Sequence, residues 1–171
     1  STGIGADGLI RVTPGTNGAD LTMELLNSDG SPAEMSGNGM RCLVQAVVMA
    51  KVAPGSEFAV ATAGGVRAVS HRLGSRPGES WVSVDMGPTS HGAVDPASLT
   101  YSTPYTHVAS VDIGNPHLVM LVDDPATIDL AQAGPAYESQ FAHGANIHWI
   151  AVDGADALRL RVWERGAGIT Q

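Results

Sequence analysis

Residues 40–52 carry apolar side chains at positions 40, 43, 44, 46, 47, 48, 49, 50 and 52. The i, i+3, i+4 spacing predicts a helix, but the apolar face nearly closes around the axis. Such a helix is buried on all sides, so the rest of the chain must wrap it. Pro54-Gly55 is expected to stop it. Cys42 lies inside this run and reads as core packing, the ordinary place for a lone thiol on an apolar helix.

The wrapping material is visible as short runs between turn clusters. Residues 9–12, 21–26, 58–62, 66–72 and 81–86 read as strands, with a hairpin at Gly64-Gly65. Residues 87–104 are rich in Gly, Pro, Ser and Thr. A boundary near their start predicts two small domains, 1–88 and 89–171. Beyond it, residues 107–112, 117–122, 147–152 and 158–163 read as strands. A short helix opens at Asp124-Pro125 and runs to about Leu130, with Asp123 and Asp124 as caps rather than an acid/base pair. Trp81, Trp149 and Trp163 sit in strands and read as core or interface anchors, Trp163 also as a pocket wall.

Composition removes several functions. Hydrophobic residues make up 43% and charged residues 15% of the 171, enough for a packed core. The net charge is −8 and there is no Lys/Arg run, which argues against nucleic acid and anionic membrane as partners. One cysteine excludes a disulfide framework and a Cys-based zinc site. The one lysine, Lys51, follows an apolar run and is a poor Schiff-base candidate for pyridoxal phosphate. Residues 43–50 form the longest apolar stretch, too short to span a bilayer. His107, Asp112 and His117 lack tight ligand spacing, so no metal is expected. His71, His91, His143 and His148 are scattered singly and read as surface or turn residues.

Four polar turns remain: residues 27–30, 36–39, 114–117 and 164–166. Each sets an amide or an ion pair beside glycine, which lets backbone N–H groups approach a ligand. At Gly37-Asn38-Gly39 those groups stand at a helix N-terminus, which favours an anion. Together, Asn, Asn, Glu and Arg suit a zwitterionic amino acid.

The stretch Asn27-Ser28-Asp29-Gly30-Ser31-Pro32-Ala33-Glu34-Met35-Ser36-Gly37-Asn38-Gly39-Met40-Arg41 resembles the signature of diaminopimelate epimerases, N-x-D-G-S followed by C-G-N-G-x-R. Gly5-Ala6-Asp7-Gly8, Gly114-Asn115-Pro116-His117, Gly144-Ala145-Asn146-Ile147 and Glu164-Arg165-Gly166-Ala167-Gly168-Ile169-Thr170 are similar to four further motifs of that family, in order. The resemblance implies an α/β chain of the α+β type, with two similar domains, each a mostly antiparallel sheet wrapped around a central helix. It implies a cofactor-independent isomerase of lysine and peptidoglycan precursor synthesis, cytoplasmic, acting on diaminopimelate, with a homodimer as a compatible assembly. In the family two cysteines flank the substrate α-carbon, one removing a proton and the other delivering one. By position, Asn27, Asn115, Asn146, Glu164 and Arg165 would hold the substrate's amine and carboxylate groups. Gly37 and Asn38 would offer N–H groups to the α-carboxylate, and His117 would line the pocket.

The chain departs from the pattern in two places. The first catalytic cysteine falls at Ser36, and a hydroxyl without an adjacent base is a poor proton carrier near neutral pH. The second falls at position 173 by count, beyond Gln171, and Cys42 is no natural substitute: it stands six residues after Ser36, about 9 Å along a helix axis. The Gly-rich turns at both ends, each without a second element, lead us to expect a fragment. Its first domain would lack its first strands. Its second would stop before its central helix, leaving the sheet of residues 107–163 little to close on and the chain poorly soluble or unstable. The same residues also fit an amino-acid-binding module without chemistry, or another racemase or dehydratase of the superfamily.

Overall fold

Two stretches of backbone cross over through a helix to lie parallel to an earlier strand, and each crossover organises one half of the protein. The computed structural model describes residues 5–6, 8–101 and 103–170. The chain divides into two units, Ser1–Gly87 and Pro88–Gln171. The sequence reading set this boundary one residue later.

In the first unit the elements are β1 (Gly8–Pro14), β2 (Leu21–Asn27), β3 (Pro32–Ala33), α1 (Gly37–Met49), β4 (Glu57–Thr62), β5 (Gly65–Leu73) and β6 (Ser80–Val84). The sheet order is β1-β2-β4-β5-β6, with β3 paired to β2. All neighbours are antiparallel except β2 and β4, which are parallel and joined through α1.

Met40, Leu43, Val44 and Val47 of α1 are buried against Met23, Phe58, Val60 and Val69 of the sheet. That is the i, i+3, i+4, i+7 stripe of a one-sided helix. The expectation of burial on all sides is corrected here: Arg41, Cys42, Ala46, Met49 and Ala50 are exposed. The Cys42 thiol therefore stands on the surface and not in the core.

The helix also ends before Pro54. Lys51 adopts φ 59°, its N–H donates to Val48 O at 3.1 Å, and the N–H of Val52 donates to Val47 O at 2.9 Å. These paired bonds close the last turn through a left-handed residue, a position that usually holds glycine.

The second unit contains β7 (Ser90–His91), β8 (His107–Asp112), β9 (Pro116–Leu121), α2 (Leu130–Glu138), β10 (Asn146–Val152), β11 (Leu158–Glu164) and β12 (Gly168–Thr170). Its sheet order is β12-β11-β10-β9-β8-β7. The β9–β10 pair is parallel and the others antiparallel. With two mixed sheets and few helices, the fold is of the α+β type.

Helix α2 was not foreseen. The sequence predicts a helix ending near Leu130, whereas Asp124 caps only a single 3-10 turn at Pro125–Thr127, and α2 begins after Asp129. The Gly134-Pro135 pair reads as a breaker, because proline gives the helix no N–H. Asp129 compensates at the start, accepting from the N–H groups of Ala131 and Gln132. Gly134 is required by packing: a Cβ there would fall 2.3 Å from the indole of Trp163.

Through α2 this unit gains its own core of Leu118, Met120, Leu130, Tyr137, Ile147 and fully buried Trp149. Tyr137 Oη accepts from the N–H of Thr103 at 2.7 Å. The sheet thus closes on one face, contrary to the expectation that it has little to close on. The alternate residues of β10 and β11 point to the other face, where Val152, Leu158 and Leu160 are 64%, 58% and 50% exposed. Trp81, expected as an anchor, is 57% exposed and packs under the Arg72 guanidinium at 5.0 Å.

Candidate active site

The residues singled out in the sequence gather at one end of each sheet. In the first unit Asn27 closes β2, opposite Gly8 of β1. The turn after it is held by its own polar groups. Asn27 Nδ2 donates to Ser31 Oγ at 3.0 Å, and Ser31 Oγ and N donate to Asp29 Oδ1 at 2.6 and 2.8 Å. Those two bonds from Ser31 hold the Asp29 carboxyl below its usual pKa. Gly30 takes φ 84° at the tip, a conformation that favours glycine. Asp7, the acidic residue of the first motif, lies outside the described residues.

Ser36 is the N-cap of α1. Its backbone is extended, and its Oγ accepts from the N–H of Gly39 at 3.0 Å. The helix therefore begins at Gly37 and not at Met40, so Gly37 and Asn38 occupy its first turn. Their N–H groups have no carbonyl four residues back within the helix, and they sit at its positive end. Asn38 Oδ1 accepts from the Arg41 guanidinium. Ser36 is thus engaged as a cap, with no base against it among the described residues.

In the second unit the parallel register of β9 and β10 sets Asn146 opposite His117. The antiparallel register of β10 and β11 brings Glu164 alongside, one step beyond the Ile147–Trp163 pair. Asn115 precedes β9 in a tight turn where Gly114 has φ 99° and donates its N–H to Asp112 Oδ1 at 2.7 Å.

Asn146 Oδ1 accepts from the backbone N–H of Arg165 at 3.0 Å, so its amide nitrogen is the end left for a ligand. Glu164 Oε1 accepts from Thr170 Oγ1 at 2.8 Å. The Arg165 side chain crosses Gly144, where a Cβ would stand 2.8 Å from Arg165 Cδ, and Nη1 donates to His143 O at 3.1 Å. Burial lowers the pKa of its guanidinium, which stays charged at any ordinary pH. Trp163, immediately before Glu164, donates from Nε1 to Glu138 Oε2 at 2.6 Å, tying this strand end to α2.

His148 is the site residue that sequence reasoning missed. It is no isolated surface histidine: its ring is partly buried and stacked on His117, with centroids 5.0 Å apart. The signal was available in the parity of β10, since Asn146 and His148 are two residues apart on one strand and share a face. Burial, then the neighbouring His117, push the pKa of His148 down to about 4. Burial also lowers that of His117, against the opposing charges of Asp112 and Glu164.

In the second unit the amide donors, the guanidinium and the carboxylate can bind a zwitterion. In the first unit the N–H groups at the start of α1 can bind an anion. Neither set contains a thiol. A separate groove of about 460 Å³ beside α2, lined by Tyr101, Tyr105, Asp123 and Asp129 among others, includes none of these residues.

Residues 1–92 match the sequence profile of the family described as Diaminopimelate epimerase. The diaminopimelate epimerase of a Synechocystis strain is 38% identical over 98% of this chain, and that of Nostoc punctiforme 39% identical over 98%. In both cases the chain spans 64% of the relative's length. Among solved structures, a probable proline racemase from Agrobacterium radiobacter superposes with a TM-score of 0.72 at 17% identity, covering 95% of this chain and 55% of the other. A hydroxyproline epimerase from Agrobacterium vitis gives 0.71 at 16% identity, covering 95% and 54%. At those identities the likeness speaks for the fold alone.

Proposed function

Because this chain belongs to the diaminopimelate epimerase family, we propose that it forms the substrate-holding part of a cofactor-independent epimerase acting on diaminopimelate. The observation that carries the reading is the end of β11. Glu164 and Arg165 are adjacent there, and the backbone N–H of Arg165 is pinned to Asn146 at 3.0 Å. We take Glu164 as the acceptor for an ammonium and Arg165 as the fork for a carboxylate, the two groups that an amino-acid head requires. Asn115 and Asn146 add amide donors. In the first unit Gly37 and Asn38 offer N–H groups at a helix N-terminus to a carboxylate, and Asn27 stands at the end of β2.

Proton removal from an α-carbon creates negative charge that spreads into the α-carboxylate. Fixed N–H groups and the helix dipole stabilise that charge without reorganisation. The chemistry further needs a base and an acid on opposite faces of the carbon. At the base position this chain has Ser36, whose hydroxyl is committed to Gly39 and whose proton is far too tightly held to leave near neutral pH. Ser36 therefore favours a second reading, a protein that binds the amino acid without turning it over.

Exchange of substrate α-hydrogen with D2O separates the two. The full-length gene product and its Ser36→Cys variant would be incubated with LL-diaminopimelate and followed by proton NMR. Exchange in the variant and little in the parent supports an epimerase scaffold silenced at one atom. Binding without exchange in either supports the binding module. Neither binding nor exchange refutes both.

A further inference from the structure

His117 is held from both sides. Its Nε2 lies 2.8 Å from Asn115 Oδ1, and its Nδ1 lies 2.8 Å from His148 Nε2. A neutral imidazole has one N–H and one lone pair, and an amide oxygen only accepts. With Oδ1 of Asn115 facing His117, the His117 proton must sit on Nε2. Its Nδ1 is then a lone pair, which the Nε2–H of His148 meets, and His148 Nδ1 is left bare. The reverse chain would turn the Asn115 amide over and place a proton on His148 Nδ1. Among the described residues no acceptor stands against that atom, so only the first chain gives each of its protons a protein acceptor.

We propose that His148 is a positioning residue: its Nε2–H fixes the His117 proton on Nε2, and His117 in turn holds the Asn115 amide so that its NH2 group is the end offered to a ligand. The inference rests on the reading above in one respect, that Asn115 meets the substrate. The direction of the chain decides what Asn115 recognises. With NH2 presented it donates to a carboxylate, and with its oxygen presented it would accept from an ammonium.

The relay requires both rings to be neutral. The charged groups that act on His117 are Asp112 on β8 and Glu164 on β11, and both favour its protonated form. Burial outweighs them, and His148 is held neutral by burial and by His117 itself.

The test is the tautomer of His117, read from long-range proton–nitrogen spectra of the uniformly 15N-labelled chain at pH 7.5. We expect a single Nε2–H form in the native protein, a mixture in His148→Leu, and a single Nε2–H form again in His148→Gln, whose amide can still donate. An Nδ1–H form in the native protein overturns the assignment, as does an undiluted Nε2–H form in His148→Leu. If the leucine variant does not fold, the native and glutamine spectra still decide. Calorimetry of the full-length protein with diaminopimelate tests the reading it rests on. His148→Leu should bind about tenfold more weakly than native or His148→Gln, the effect of one lost hydrogen bond. A fixed tautomer without diaminopimelate affinity removes the substrate assignment and leaves the relay standing; affinity with the opposite tautomer removes the relay alone.

Discussion

Replacing His148 by glutamine should flatten the response of stability to acid. The His148 ring is partly buried, and burial and His117 bring its pKa from 6.5 down to about 4. The unfolded chain therefore takes up a proton at this residue as pH falls through about 6.5, while the folded chain refuses it until about 4. Between those values the unfolded state binds more protons, so stability rises with pH in that window. The contribution is complete above the window, is lost as pH falls through it, and does not change further below about 4. At about 1.4 kcal/mol per pH unit the loss is about 1.4 kcal/mol by pH 5.5 and about 2.5 kcal/mol by pH 4.5. Glutamine cannot titrate, and His117 and the carboxylates titrate in both proteins. Urea unfolding of native and His148→Gln chains from pH 7.5 to 4.5 should thus show the native protein losing about 2.5 kcal/mol more. Curves that stay parallel within about 0.5 kcal/mol would refute the argument, and so would a His148 NMR titration midpoint near the free value of about 6.5.

Other substitutions test the packing and the caps. Ser36→Ala should lower stability by about 1 kcal/mol, because Gly39 loses its cap acceptor; unchanged thermal unfolding would show that the cap contributes nothing. Gly134→Ala should cost about 1–3 kcal/mol by forcing a methyl into the Trp163 indole, with a shift in tryptophan fluorescence as the local readout. Lys51→Gly should raise stability by about 1 kcal/mol by relieving a left-handed backbone, checked by denaturant midpoint.

Much of this molecule was legible in its residues, and the failures have physical causes. The longer strands were found because β-branched and apolar runs between Gly and Asn clusters leave few alternatives. The short strands β3, β7 and β12 were not, and residues 168–170, read as part of a terminal turn, pair with β11. The turns at residues 27–30 and 114–117 were found because their chemistry is local. Helix α2 was missed because Gly134-Pro135 opposes helix locally, and only the contact with Trp163, far along the chain, explains the glycine. The outer side of α1 was misjudged because an apolar side chain such as Met49 states a preference for burial, not the presence of something to bury it. His148 was passed over as a lone histidine, since its partner is 31 positions away and strand register alone joins them.

The two helical crossovers bear on how quickly this chain can find its structure. Leu21 lies beside Val60 and Leu118 beside Ile147, so neither parallel pair can form until a long intervening segment has closed. Loop closure is uphill before the contacts that reward it exist, and sheets assembled this way are slow. The β4–β5 and β10–β11 hairpins face no such delay. Refolding should therefore begin with hairpins and end with the two parallel seams, each completed only when its helix docks.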